Sequence, residues 1–239
     1  MSAAADLPGT LLDAHLHTVR GAADSDLQPD DLLAEARRIG LGGMNISEHD
    51  RVWERHSWEE FEAQCDGIFL SRGMEVSTDL GHIIVLGIDE YHPGIRSAAR
   101  LREVCDSLGA FMYAAHPFRH FFDPVTFLRQ GKEPFAMTPE EAAKRMPVFA
   151  LVDGIEVGNG GNTRRENVFA YRVAEALGKP MVGGSDAHST SGIGAFTTLF
   201  AERLTSREQM LALLHAGSVA PYEGLNTGEL RPFAPSAEE

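Results

Sequence analysis

Apolar positions along the chain fall into short continuous or alternating runs, separated by segments with helical spacing. Leu11-Leu12-Asp13-Ala14-His15-Leu16-His17 predicts an opening strand that ends in polar residues. Pro29 opens a helix through Ile39, with Leu32, Leu33, Ala36 and Ile39 on one stripe and Gly40 closing it. The pattern then repeats. Strands are predicted over 41–46, 67–74, 83–88, 110–115, 150–157, 180–183 and 195–201, and helices over 95–108, 139–146, 164–177 and 206–215. An acidic, aromatic stretch over 53–61 reads as loop and helix, and 234–239 as a frayed tail. Alternation of strand and helix favours parallel βα units and an α/β fold.

That order places polar residues of one kind at the strand ends. His15 and His17, His49, Glu75, His116, Asn159, and Asp186 and His188 each follow an apolar strand. In a parallel barrel those ends share one face, so residues far apart in sequence converge there. His15-Leu16-His17 puts two imidazoles on one side of a strand, and Asp186-Ala187-His188 repeats the spacing with a carboxylate and an imidazole. Imidazole and carboxylate together are a ligand set for zinc, iron and manganese. His56, His92, His120 and His215 read as hydrogen-bonded core or loop residues. His82, at the head of an apolar run, fits either role, and Asp24 and Asp26 could equally cap the helix that starts at Pro29.

Composition narrows the partners. A formal charge of −14, from 35 acids against 21 Lys and Arg, argues against a broad basic face for nucleic acid. A small anionic substrate stays open, because a bound metal or a local Arg reverses the field inside a pocket. With 239 residues, 43% of them hydrophobic, the chain suits one large domain with a sizeable core. Cys65 and Cys105 stand singly and read as buried free thiols in a reducing compartment. No basic and apolar leader opens the sequence, and no apolar run approaches the ~20 residues that span a bilayer. The cytoplasm is therefore the expected location, with no membrane partner.

The motifs also carry a family resemblance. In order they are Asp13-Ala14-His15-Leu16-His17-Thr18, Asp24-Ser25-Asp26-Leu27-Gln28-Pro29, Ser47-Glu48-His49-Asp50, Glu75-Val76-Ser77 with His82, Ala115-His116-Pro117-Phe118-Arg119, and Gly184-Ser185-Asp186-Ala187-His188. This series resembles the PHP (polymerase and histidinol phosphatase) family of metal-dependent phosphoesterases, over roughly Leu12 to Val219. Ser47-Glu48-His49-Asp50 departs from the family's Thr-Asp-His-Asp at two positions and keeps the histidine. The resemblance implies a distorted (β/α)7 barrel of the PHP type over 11–220. It would follow an N-terminal extension (1–10), precede a C-terminal tail (221–239), and carry an insertion over the site at 121–146.

It also implies two or three divalent ions. The first would take His15, His17, Glu75 and Asp186; the second would share Glu75 and add His82 and His116. The third would take His49, His188 and Asp24, with Asp26 as the competing acid because Ser25 stands where the family has Gly. Manganese, iron and zinc all suit such donors. A water held between two dications loses its proton near neutral pH, and open coordination sites can hold phosphoryl oxygens. Glu75 and Asp186 are expected to carry the catalysis. Arg119 is the candidate phosphate fork, with a surface ion pair as its alternative. His120 is the candidate general acid, and Asn159 and Arg164 are candidate substrate contacts. Phe121, Phe122, Phe127 and Phe135 of the insertion either pack it or stack a base.

The expected function is hydrolysis of a phosphate ester bond (EC 3.1) in a small phosphorylated metabolite or nucleotide, either a monoester or a small diester. Three other readings stand beside it. A polynucleotide exonuclease or proofreading-type protein is disfavoured by the charge. A non-catalytic metal-binding regulatory module is disfavoured by the filled ligand positions. An amidohydrolase-like barrel acting at carbon is disfavoured by the Asp186-Ala187-His188 ending.

Overall fold

The computed structural model describes residues 7–125, 129 and 133–236. In chain order its elements are β1 (Leu11–Leu16), α1 (Pro29–Ile39), β2 (Gly43–His49), α2 (Arg55–Glu62), β3 (Phe69–Thr78), β4 (Gly81–Leu86), α3 (Ala98–Leu108), β5 (Phe111–Ala114), α4 (Pro139–Arg145), α5 (Val148–Leu151), β6 (Gly154–Asn159), α6 (Arg164–Leu177), β7 (Met181–Gly184), β8 (Phe196–Phe200), α7 (Arg207–His215), β9 (Val219–Glu223) and β10 (Arg231–Pro232). The strands form one curled sheet of mixed α/β type, in the order β10-β9-β8-β1-β2-β3-β4-β5-β6-β7.

Uniform parallel βα alternation does not hold. The pairs β1–β2, β2–β3, β5–β6 and β6–β7 are parallel, but β4 runs antiparallel to both β3 and β5. The strand predicted to end at Met74 continues to Thr78 and folds back at once. The Thr78 hydroxyl donates to the Gly81 carbonyl at 2.6 Å, and Gly81 takes φ 103°, a left-handed conformation that glycine adopts freely. Two further expectations are corrected. Ala150 and Leu151 belong to α5, which follows Pro147 with its helical φ of −62°, and β6 begins only at Gly154. The boundary expected at 220 falls inside β9, and beyond β10 Phe233 is only 2% exposed.

Strand alternation sorts the side chains onto two faces. In β3, Met74 and Val76 pack outward with α3 and α6, which leaves Glu75 on the inner face. In β4, Ile83 and Val85 join that outer cluster, while Ile84 and Leu86 pack inward on the same side as His82. Met44 and Ile46 of β2 face α1 and α2, so Asn45, Ser47 and His49 face inward. In β6, Ile155 and Val157 face outward and Glu156 inward. The inner apolar layer, with Leu12, Phe111, Tyr113 and Val182, forms a floor beneath these polar residues.

The curl brings β7 back to β1. Leu16 and Ala187 form a parallel bridge, and the amide of Asp186 donates to the His15 carbonyl at 2.8 Å. Small residues permit this approach. A Cβ at Gly184 would lie 2.4 Å from Cβ of His15 and 2.7 Å from its backbone nitrogen. Gly184→Ala is therefore expected to destabilise the fold by about 1–3 kcal/mol through overpacking, read as a lowered denaturation midpoint at unchanged slope.

Candidate metal centre

Glu75 sits in the middle of β3, paired with His49 on one side and Ile84 on the other, and is 1% exposed. Five histidines from four strands or strand ends turn a ring nitrogen to its carboxylate. Its Oε2 lies 3.4 Å from His15 Nε2, 3.1 Å from His17 Nε2 and 3.1 Å from His49 Nδ1. Its Oε1 lies 2.7 Å from His82 Nδ1 and 3.0 Å from His116 Nε2. Asp186 Oδ1 closes the group from the far side, at 3.4 Å from His15 Nε2 and 3.3 Å from His17 Nε2. Asp24 Oδ1 lies 3.7 Å from His49 Nε2 and 3.5 Å from His188 Nε2, whereas the Asp26 amide donates to the His188 carbonyl. Of the two acids the sequence left open, Asp24 is the one that faces the imidazoles.

Electrostatics within the group are strong. Burial pushes the Glu75 carboxyl up, but the charge of His15 and hydrogen bonds from His116, His15 and His17 outweigh it and hold the group well below the usual carboxylate range. Asp186 is held low in the same way, burial being outweighed by His15, His17 and Arg119. Burial depresses His15, yet Asp186, Glu156 and Glu75 raise it well above an ordinary imidazole. His17 is raised against its burial by Asp186 and Glu75, and His82 is raised chiefly by its bond to Glu75.

Divalent cations fit these residues. His15 Nε2 and His17 Nε2 face each other at 2.9 Å, while His15 Nδ1 is committed to Glu156 Oε1, also at 2.9 Å. Two ring nitrogens that close need a proton or a cation between them. His17 Nδ1 is buried without a hydrogen-bond partner, and Glu75 Oε2, with three ring nitrogens within 3.4 Å, meets none of them in regular hydrogen-bond geometry. Three compact sets of donors meet the spacing of a metal site: His15 with His17 and Asp186, His15 with Glu75 and His116, and His17 with His49 and His188. His17 thus joins the set expected for His49 and His188 with Asp24. His82 reaches Glu75 from a position 41% exposed and lies outside these sets. All donors are nitrogen or oxygen, the set that suits zinc, iron or manganese.

Supporting residues hold these imidazoles in place. Glu156, fully buried, accepts from His15 Nδ1, from the His116 amide at 2.7 Å and from Asn159 Nδ2 at 2.9 Å. A carboxylate on the far nitrogen of a ligating imidazole sets its tautomer and orientation. His188 Nδ1 donates likewise to the Asp186 carbonyl, at 2.9 Å. Asp186 and His116 hold positive φ of 55° and 29°, costly backbone shapes that the surrounding bonds maintain. The sequence signal for Glu156 is an acid two residues inside a buried strand, where an unpaired charge is expensive.

The candidate substrate residues are placed less simply. Arg119 is not a free fork. Its Nη2 donates to Asp186 Oδ2 at 2.5 Å and Asn159 Oδ1 at 2.6 Å, and its Nε to Asn162 Oδ1 at 3.0 Å. Asn159 is fully buried and spends its side chain on Arg119, Glu156 and the Gly161 amide, so it orients neighbours and is not open to substrate. Arg164 departs from its expected role: Glu223, at 3.8 Å, and the Phe233 ring engage it, tying it to the C-terminal segment. Exposed His120 takes φ 64° and donates its amide to Glu166 Oε1. Phe121, Phe122 and Phe135 pack edge-on with Phe118 and Phe169. Phe127 lies outside the described residues. Burial pushes the Cys65 and Cys105 thiols up to about 11 and about 12, leaving both inert.

Among the described residues, no helix is long and apolar enough to cross a membrane. No curated protein matches the chain. Among solved structures it is similar to PsfC from Pseudomonas syringae PB-5123, at 16% identity and a TM-score of 0.61, covering 91% of this chain and 93% of that one. It is also similar to the "putative metal-dependent phosphoesterase" of Bifidobacterium adolescentis ATCC 15703, at 18% identity and a TM-score of 0.52, covering 77% and 89%. At these identities the likeness is one of fold. The PHP-associated family model matches residues 164–219, which span α6 through the start of β9. That match links the C-terminal part of the chain to PHP-associated sequences, and the solved structures show a shared fold.

Proposed function

We propose that this protein is a metal-dependent hydrolase that cleaves a phosphate ester of a small metabolite or nucleotide. The distorted (β/α)7 barrel of the PHP type is the fold reading that accompanies it, with β7 returning to β1. One observation carries the proposal: imidazoles and carboxylates from separate strands converge on Glu75 with their ring nitrogens inward. His15, His17, Asp186, Glu75, His116, His49 and His188 would hold two or three dications, with His82 and Asp24 at the rim. When bound, such ions supply an acidified water and neutralise charge on a phosphoryl group.

The chain's own residues do the rest. Glu156 keeps the proton of His15 on Nδ1 and leaves Nε2 for ligation. Arg119 holds Asp186 Oδ2, so that Oδ1 faces the imidazoles, and the Nη1 nitrogen these bonds leave over is available to an anion. His120, beside Arg119, stands where a leaving oxygen could take a proton. The strong negative charge of the chain, −14, favours small esters over polynucleotides. The buried thiols fit a reducing compartment such as the cytoplasm.

The test is phosphate release by protein reconstituted with manganese, on a panel of nucleoside monophosphates, sugar phosphates and histidinol phosphate, with single-stranded oligonucleotides alongside. Turnover of a small ester is the expected result; turnover of oligonucleotides alone overturns the substrate class. A second expectation follows from the raised imidazoles. In the free site the neighbouring carboxylates make His15 and His17 hold protons more tightly than ordinary imidazoles do, and a ligand nitrogen must be neutral. Metal uptake should therefore release protons and tighten as pH rises, weakening as it falls. Calorimetry in two buffers of different ionisation enthalpy measures the released protons.

A further inference from the structure

A cavity of about 290 Å³ opens beside the cluster, at the small end of the range for organic ligands. His82 and His116 form one end of it, next to Arg119 and His120. The rest of the side-chain wall is apolar and includes Leu80, Pro117, Phe121, Met146 and Val148. Part of the polar capacity at the charged end is already committed, and on the reading above Arg119 Nη1 and the His120 ring serve the phosphate and the leaving oxygen. His116 faces Glu75 and gives its amide to Glu156, His82 Nδ1 faces Glu75, and Arg119 is tied to Asp186, Asn159 and Asn162. The backbone adds little, since the Ala115 amide already donates to the His82 carbonyl. Phe121 is itself fixed, 5.7 Å from Phe118 and 5.1 Å from Phe135 between ring centroids.

A polyhydroxylated body in this cavity would lose water from its hydroxyls and find no acid, amide or hydroxyl side chain in the wall to replace it, which is unfavourable for each group. An apolar body loses nothing and gains from contact with these side chains. We infer that the alcohol part of the substrate is a compact apolar group, such as a single aromatic ring, seated between Leu80, Phe121 and Met146 while its phosphate lies toward Arg119 and the cluster. This rests on the phosphoesterase reading and adds the class of ester.

The experiment compares benzyl phosphate with glycerol 3-phosphate on the manganese-reconstituted protein, two esters with alkoxide leaving groups of similar basicity. In parallel, benzylphosphonate and 2,3-dihydroxypropylphosphonate are titrated calorimetrically as ligands that cannot be hydrolysed. The benzyl compound should lead at least tenfold in kcat/KM and in affinity. Leu80→Asn and Met146→Gln should each shrink that ratio about fivefold, since each puts a polar group in the wall. Equal or reversed preference in either assay overturns the inference. If neither ester turns over, the phosphoesterase reading falls for these substrates, and the phosphonate titrations still decide what the cavity prefers.

Discussion

Glu75→Gln is expected to empty the centre while leaving a folded chain. The substitution keeps the shape of a side chain that is 1% exposed in mid-strand, so the sheet has no cavity to absorb. It removes the negative charge toward which His15, His17, His49, His82 and His116 all turn, and it places an amide N–H against some of their nitrogens. Partners that only support ligands are worth about 10–100-fold in metal affinity. A residue shared between donor sets should exceed that, so metal content and kcat/KM are each expected to fall by more than about 100-fold. Metal analysis of the purified variant, with circular dichroism to show native structure, is the measurement. Normal metal content with retained turnover would remove Glu75 from the centre.

Glu156→Gln is the second substitution with a large expected effect, although the residue is no ligand in any reading. Its two oxygens accept from three donors: His15 Nδ1 on one, and the His116 amide and Asn159 Nδ2 on the other. Glutamine has one acceptor oxygen and one NH2 group. Turned one way, its NH2 meets the His116 and Asn159 N–H groups in a fully buried place, at about 1–3 kcal/mol of stability; turned the other, it drives the proton of His15 from Nδ1 to Nε2. The imidazole of His15 also loses the group that fixes its tautomer, and metal affinity should drop about 10–100-fold. Competition against a chelating dye reads the affinity, and urea unfolding reads the stability. An unchanged affinity would reduce Glu156 to a packing role.

The ligand-type residues were legible because each is a polar residue at a fixed step from an apolar run. His15, His17, His116, Asp186 and His188 needed only strand ends and a period of two. Glu75 and His82 were legible as residue types but not as places. Nothing local says that β3 overruns by four residues and returns as an antiparallel partner, since an apolar run has no direction. The supporting layer was less visible still. Whether Arg119 is free to grip an anion depends on Asn159, Asn162 and Asp186, which stand 40, 43 and 67 residues further along the chain. Arg164 looked like a substrate contact at a helix start, but Glu223, at the end of a short strand broken by Pro221, and Phe233, just after the two-residue β10, had the prior claim. Inner and outer faces follow from alternation alone; the destination of a long cationic side chain does not.

The return of β7 against β1 gives a bound ion a mechanical task as well as a chemical one. His15 and His17 stand on one lip of that seam and Asp186 on the other, so a cation gripped by all three would act as a clasp between segments about 170 residues apart in the chain. Any ligand confined to the native state deepens its well in proportion to the logarithm of its excess. Chelation should accordingly loosen this seam before any other part of the sheet, with amide hydrogens at 15–17 and 185–187 becoming the first to exchange.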